Sequence, residues 1–132
     1  RAEALGRPVA DEPGNVPVPQ VIFTHSEVAT VGATLAQAQA DVPDARAFDV
    51  AMSSAAGAAL LVDHPIGSAR LVVGGDDRLV GATFAGVEVA ELLHAATVAI
   101  VGGLTVQQLW HAVPSYPTAS EVWLRLLDQA MG

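Results

Sequence analysis

The chain has 132 residues, of which 52% are apolar and only 15% charged, so its length suits a single domain and its apolar content predicts a surface that meets a partner. A net charge of −8 argues against nucleic acid and anionic membranes as partners. The lack of cysteine excludes a disulfide framework, a thiolate nucleophile and a redox cysteine pair within these residues, and it is compatible with the cytoplasmic location that we predict.

The first 19 residues differ in character from the rest. The opening RAEALG has the pattern of the last turn of a longer helix, and residues 7–19 hold four prolines and one glycine. Proline disfavours both helix and sheet, so we predict an extended linker there and a globular domain at residues 20–132. The most apolar stretch, residues 89–104, is interrupted by Glu91, His94 and two glycines. It is too short and too polar to span a membrane.

Short runs of β-prone residues predict the strands of a sheet. The clearest pair, Leu71–Val73 and Leu79–Phe84, flanks a Gly-Gly-Asp-Asp turn and predicts a hairpin. SEVATVG is ambiguous, since its valines favour a strand that Gly32 would end. The remaining predicted strands are QVIFTH (20–25), ARAFDVAM (45–52) and a short one at Leu60–Val62.

Capping signals and apolar periodicity predict the helices. A threonine followed three residues later by glutamine or glutamate forms a capping box at a helix start. This pattern occurs at Thr34 with Gln37, Thr105 with Gln108, and Thr118 with Glu121. A further, longer helix starts near Val89 and stops at Gly102 and Gly103.

The order of elements predicts the fold class. Strands cluster and three helices follow them, which is typical of an α+β domain with an antiparallel sheet of about four or five strands and helices packed on one side. We further predict an apolar face that meets a partner, because the apolar content exceeds what one small domain needs. That face is predicted to include the helices around Glu91–Ile100 and Val122–Leu127.

The candidate functional side chains lie in HAVPSYPTASE, residues 111–121. Tyr116 either packs beside a rigid turn or contributes to a site, and Pro117 favours extended backbone at Tyr116. Glu121 either closes the capping box of Thr118 or orients a catalytic partner.

Other chemistry finds no support in the residues. His25 and His64 have no neighbours at metal-ligand spacing, His94 suits a core or an interface, and His111 suits a helix end, so we predict no metal site. The glycines form neither a phosphate loop nor a nucleophile elbow. From the residues alone, the chain has no self-sufficient active site.

Four stretches carry a family resemblance when they are taken in order. They are VPQVIFTHSEVATVGATLAQA (18–38), ARLVVGGDDRLVGATFAGVEVAEL (69–92), VAIVGGLTVQQL (98–109) and YPTASE (116–121). Together they resemble the C-terminal dimerisation domain of the pyridine nucleotide–disulfide oxidoreductases, the family of lipoamide dehydrogenase, glutathione reductase and mercuric reductase. The first stretch departs from the family pattern Phe-Thr-x-Pro-Glu at Ser26, which replaces the proline.

The resemblance implies the dimerisation domain of an FAD-dependent NAD(P)H oxidoreductase that works in cell redox homeostasis as a homodimer. FAD and NAD(P) would bind to other domains of the same polypeptide, so these residues are expected to hold no cofactor and the isolated chain to be inactive. Residues 1–19 would then be the end of a flavin-domain helix and its linker.

The closing motif of the family, His-Pro-Thr-x-Ser-Glu, reaches the flavin of the partner subunit. The resemblance therefore assigns Tyr116 and Glu121 as catalytic residues, and Tyr116 and Pro117 as contacts to the partner's FAD, in the complete dimer only. Tyr116 stands where the family has histidine. A tyrosine side chain ordinarily has a pKa of about 10 and donates a proton rather than accepting one at neutral pH. We therefore predict that the parent enzyme reduces a non-disulfide acceptor such as a quinone, a metal ion or a nicotinamide.

One alternative stays open at this point. A free-standing α+β domain that binds another protein or a small ligand would have the same composition and order of elements. A Gly-x-Gly-x-x-Gly flavin-binding segment upstream in the intact reading frame would decide between the two.

Overall fold

The computed structural model describes residues 17–24, 26–61, 63–86 and 88–132, which form an antiparallel sheet and the helices that cover it. The strands are β1 (Gln20–Ile22), β2 (Glu27–Gly32), β3 (Arg46–Ala51), β4 (Ser68–Val73) and β5 (Leu79–Gly86). The helices are α1 (Leu35–Asp41), α2 (Ala90–Val101), α3 (Val106–Trp110) and α4 (Glu121–Met131). Two 3₁₀ segments, Met52–Ser54 and Ala56–Leu60, follow β3. The helix turn and most of the linker predicted for residues 1–19 lie outside the described residues.

The sheet has the strand order β1-β2-β5-β4-β3, and every neighbouring pair is antiparallel. β4 and β5 form the predicted hairpin. Its turn closes where the Gly74 amide donates to the Arg78 carbonyl at 2.8 Å, and Asp77 adopts a φ of +62°. Asp tolerates this left-handed conformation better than most residues, which is one reason why it is common in such turns. The α+β class with an antiparallel sheet is confirmed.

A close backbone contact marks the point where β2 leaves the sheet for α1. Gly32, at the end of β2, has a φ of +76° and pairs with Gly81 of β5. A Cβ atom on Gly81 would lie 1.9 Å from the Ala33 carbonyl oxygen. Only glycine fits there, so the pair lets the chain turn directly into α1.

The main core lies on one face of the sheet, under α2, α3 and α4. Residues that alternate along the strands supply the sheet side of this core, because successive side chains of a strand point to opposite faces. Phe84 of the central strand is fully buried, and its ring centre lies 5.6 Å from that of Trp123 in α4. The packing of the three later helices on one side of the sheet is therefore as predicted.

Among the described residues, the opposite face of the sheet is covered only at one end. There α1 buries Ala38 against Ala45 and Val72. Further along this face the hydroxyls of Thr30 and Thr83 lie 3.1 Å apart. In the same cross-strand row, Arg70 of β4 donates two hydrogen bonds to Asp49 of β3, at 2.7 and 2.9 Å. These bonds, and then the negative charge of Asp49, raise the pKa of Arg70 above its usual value.

The starts of the helices are closed in different ways. Capping boxes form as predicted at Thr34 of α1 and Thr105 of α3, each through two hydrogen bonds with the glutamine three residues later. Helix α2 has no side-chain cap at Val89. Instead, the Glu27 carboxylate of β2 accepts from the Ala90 amide at 3.4 Å. A carboxylate at this end also favours the helix dipole.

One strand prediction is wrong in the structure. Leu60 ends a 3₁₀ segment and Leu61 lies in a turn, so the short strand at Leu60–Val62 is wrong for these two residues, while Val62 lies outside the described residues. The dimer face predicted around α2 and α4 stays a prediction. The inner apolar side chains of both helices pack in the chain's own core. They are Leu92, Leu93, Ala96 and Ala99 of α2, and Val122, Trp123, Leu126 and Leu127 of α4.

A leucine substitution in the main core should be costly. Leu126 of α4 is fully buried, so Leu126→Ala should lower the free energy of unfolding by about 2–5 kcal/mol through lost burial and the cavity left behind. Leu60, which is 69% exposed, is the matched control, and Leu60→Ala should cost less than about 1 kcal/mol. Denaturant titration of both variants measures the difference, and equal midpoints would contradict the placement of α4.

Candidate functional site

The candidate site is the loop between α3 and α4, residues 111–120. It contains the predicted residues Tyr116 and Pro117, which are joined by a cis peptide bond. The side chain of Tyr116 points outward, since the residue is 78% exposed. Val113 of the same loop is also 78% exposed. The loop therefore presents apolar and aromatic surface that the rest of the described chain does not cover.

The start of α4 is not the predicted capping box. The residue before the helix is Ser120, which has helical backbone angles and makes no side-chain cap, while the Thr118 hydroxyl donates to the Ser115 carbonyl at 2.6 Å. The first amides of α4 donate to carbonyls three residues earlier, beginning with Glu121 to Thr118 at 3.2 Å. The carbonyls of a tight turn thus accept hydrogen bonds from the first amides of α4, one of which a threonine hydroxyl accepts in a capping box.

Glu121 is buried, with 7% of its surface exposed, and it is the one charged residue buried among the described residues. Its Oε2 atom accepts a hydrogen bond from the amide of Gly57 at 2.9 Å, across 64 positions of sequence. A buried carboxylate is unfavourable without such a partner. The side chain that was predicted to serve Thr118 is therefore directed at the 3₁₀ segment Ala56–Leu60 instead.

Gly57 is a site residue that the sequence analysis missed. A Cβ atom at this position would lie 2.0 Å from the Thr118 carbonyl carbon, so the backbones of the two residues touch directly. The signal was present, because a lone glycine inside the alanine-rich run SSAAGAALL is typical of a close backbone approach.

Beside the loop lies an open cleft of about 370 Å³. Its walls combine apolar side chains of the 3₁₀ segment and α2, two carboxylates and the residues that follow Tyr116. The lining residues are Gly57, Leu60, Leu61, Glu88, Glu91, Leu92 and residues 117–120. The cleft is therefore partly apolar and acidic, and it opens next to the exposed tyrosine.

The site holds no acid–base pair of its own. Within the described residues, no hydrogen bond joins Tyr116 to Glu121, since the carboxylate bonds to Gly57. Nor do those residues bring together three histidine or acidic side chains that could hold a metal ion. The arrangement presents a hydroxyl donor and an apolar surface.

Comparison with known proteins identifies the family of this chain. The family model described as "Pyridine nucleotide-disulphide oxidoreductase, dimerisation domain" matches residues 18–127. The chain belongs to this family. The match covers the sheet and nearly all of the helices, so the described fold is that of the dimerisation domain.

The relatives are longer proteins than this chain. Dihydrolipoyl dehydrogenase of Bacillus subtilis is 30% identical over 128 residues, which are 94% of this chain and 27% of that protein. Among solved structures, LpdA of Mycobacterium tuberculosis matches with a TM-score of 0.83 at 22% identity. The matched region is 99% of this chain and 28% of the LpdA chain. The disulfide reductase RclA of Escherichia coli has a TM-score of 0.82 at 24% identity, over 97% and 29%. The structural likeness supports the fold, and the chain spans about a quarter of the length of these proteins.

The lengths of the helices show whether any of them could span a membrane. No helix in the described part of the chain is long and apolar enough to cross a bilayer. The longest, α2, has 12 residues.

The two kinds of helix start should respond differently to alanine. Thr105→Ala removes a hydroxyl that accepts from the Gln108 amide at 3.3 Å, and should lower the free energy of unfolding by about 1 kcal/mol. Ser120→Ala removes no capping bond and should change it by less than about 0.5 kcal/mol. Thermal or denaturant unfolding measures both. A larger loss for Ser120→Ala than for Thr105→Ala would contradict the described start of α4.

Proposed function

We propose that this dimerisation domain serves an FAD-dependent NAD(P)H oxidoreductase and pairs with a second copy of itself. The match of the family model across residues 18–127 is the observation that carries the proposal. FAD and NAD(P) would bind to other domains of the same polypeptide, and the chain alone would be inactive. A cytoplasmic location stays a prediction.

The outer side of α2 is the best candidate for the dimer contact. With the inner side of α2 buried in the core, the exposed residues of this helix are Glu91, His94, Ala95, Val98 and Val101, of which Val98 is 54% and Val101 67% exposed. Three of these five side chains are apolar, and residues 91, 94, 98 and 101 lie on one helix face because they recur every three or four positions. An exposed apolar stripe of this kind is typical of a surface that a partner covers.

Tyr116 and Pro117 are proposed to lie beside the FAD of the partner subunit in the complete dimer. Their exposure supports the proposal, since a residue that serves another subunit cannot be buried in its own. When bound, the flavin would supply the hydride and electron transfer. The Tyr116 hydroxyl would donate a hydrogen bond to the flavin or to the bound acceptor. The catalytic assignment of Glu121 stays a prediction.

The proposed acceptor is not a disulfide. Tyr116 stands where the family has the histidine that handles thiol protons, and a neutral tyrosine is a donor rather than a ready base at pH 7. A quinone, a metal ion or a nicotinamide needs no such base. A disulfide acceptor is the second candidate, because the relatives include dihydrolipoyl dehydrogenases and a disulfide reductase.

The dimer contact can be tested with two matched exposed alanines. Ala95→Glu places a carboxylate on the proposed interface, where burial without a partner charge should raise the dimer dissociation constant roughly a hundredfold or more. Ala36→Glu, on exposed α1, should leave the constant unchanged. Sedimentation of the complete polypeptide measures both variants. An intact dimer with Ala95→Glu would move the interface away from the outer side of α2.

The role of the tyrosine hydroxyl can be tested in the complete polypeptide. Tyr116→Phe keeps the ring and removes the donor, so it should slow reduction of the true acceptor roughly ten- to a hundredfold. Steady-state assays of wild type and variant with a quinone and with lipoamide provide the measurement. Efficient turnover of lipoamide by the wild type would overturn the proposed acceptor, and an unaffected variant would leave only a packing role for the ring.

A further inference from the structure

The contact between Glu121 and Gly57 joins two parts of the chain that lie far apart in the sequence. Gly57 belongs to the 3₁₀ segment Ala56–Leu60, and Glu121 opens α4, 64 positions later. The bond is buried and measures 2.9 Å between the Gly57 amide and Oε2. A hydrogen bond to a charged acceptor is about twice as strong as one between neutral groups, and it is stronger still when water is excluded.

A second contact acts on the same glycine. The Gly57 Cα faces the backbone of Thr118, where a Cβ atom would come within 2.0 Å of the carbonyl carbon and 2.2 Å of its oxygen. Gly57 is therefore held from two sides, by the carboxylate of Glu121 and by the peptide of Thr118. Thr118 is only two residues from Tyr116, so the placement of the 3₁₀ segment sets the placement of the loop that carries the tyrosine.

Tyr116 itself takes no part in this contact. It is 78% exposed, whereas Glu121 is 7% exposed, and no hydrogen bond joins the two within the described residues. Glu121 also lies in the first turn of α4, where the helix dipole favours a negative charge. Burial, hydrogen bond and dipole thus all commit the carboxylate to the inside of the domain.

We propose that the contact between the Glu121 carboxylate and the Gly57 amide positions the loop that carries Tyr116 and Pro117. This contact joins α4 to the 3₁₀ segment, and we call it the latch. In this role Glu121 is a positioning residue and does not exchange protons with Tyr116. The meaning of the latch for catalysis rests on the proposed function of Tyr116, but the latch itself is a property of this chain. Its purpose is to keep the exposed phenol and the neighbouring cleft in one arrangement.

The decisive variant is Glu121→Gln, which removes the charge and keeps an oxygen that can accept from the Gly57 amide. Tyr116 is the only tyrosine in the chain, so the appearance of phenolate absorbance with rising pH reports on it alone. If the latch is correct, Glu121→Gln should leave this titration curve within about half a pH unit of the wild-type curve. A carboxylate that paired with the tyrosine hydroxyl would shift the curve by about one unit or more when its charge is removed, and that result would overturn the proposal.

Amide hydrogen exchange tests the latch directly. The Gly57 amide should be protected in the wild type and in Glu121→Gln, and it should exchange roughly tenfold faster or more in Glu121→Ala, which has no acceptor. Equal exchange in Glu121→Ala and wild type would also overturn the proposal. If Glu121→Ala fails to fold, the phenolate titration of Glu121→Gln still decides, and a Gly57 amide that exchanges without protection in the wild type would also overturn the proposal. These measurements use the chain without flavin or acceptor, so their failure is distinguishable from a failure of the proposed function in the dimer and turnover assays.

Discussion

The packing of Phe84 against Trp123 is the interaction on which most of this domain depends. Phe84 lies in β5, the central strand of the sheet, and Trp123 lies in the first turn of α4, so their contact at 5.6 Å holds the last helix to the middle of the sheet. The rings are tilted by 48°, an arrangement typical of aromatic pairs. Once α4 is docked there, its first residue, Glu121, is necessarily inside the domain, and the loop that precedes it is necessarily at the edge.

This docking also decides which apolar surface remains for a partner. The inner sides of α2 and α4 are buried in the core. Apolar side chains that the core does not bury therefore lie on the surface. On α2 they form the exposed side with Ala95, Val98 and Val101. A helix that is apolar on both sides is expected where one side meets the core and the other a second subunit. The dimer contact proposed for this family member therefore follows from what the core leaves uncovered.

The candidate site combines a buried hydrogen bond with an exposed tyrosine. Glu121 and Gly57 hold the backbone from within, while Tyr116 faces outward beside a partly apolar, acidic cleft. Such a division suits a domain that completes a site on another subunit, because the donated side chain needs a rigid support and free access at once. Under the proposed function, Tyr116 at the position of the family histidine would change the chemistry of this group, while the fold that presents it would stay the same.

The sequence by itself determined the features that depend on near neighbours. The capping boxes of Thr34 and Thr105 and the hairpin turn at Asp77 involve residues within a few positions of one another, so local patterns predict them. The clustering of strands before helices likewise predicted the antiparallel α+β sheet, and YPTASE located the candidate loop.

Only the tertiary structure decided the features that depend on distant residues. Thr118 has the sequence pattern of a cap, but Glu121 bonds to Gly57, 64 positions away. A 3₁₀ segment stands where a strand was predicted at Leu60. The amide at the start of α2 is likewise met by Glu27, 63 positions earlier. The physical reason is that a buried carboxylate and an open helix end must find hydrogen-bond partners, and packing alone determines which distant groups lie within reach.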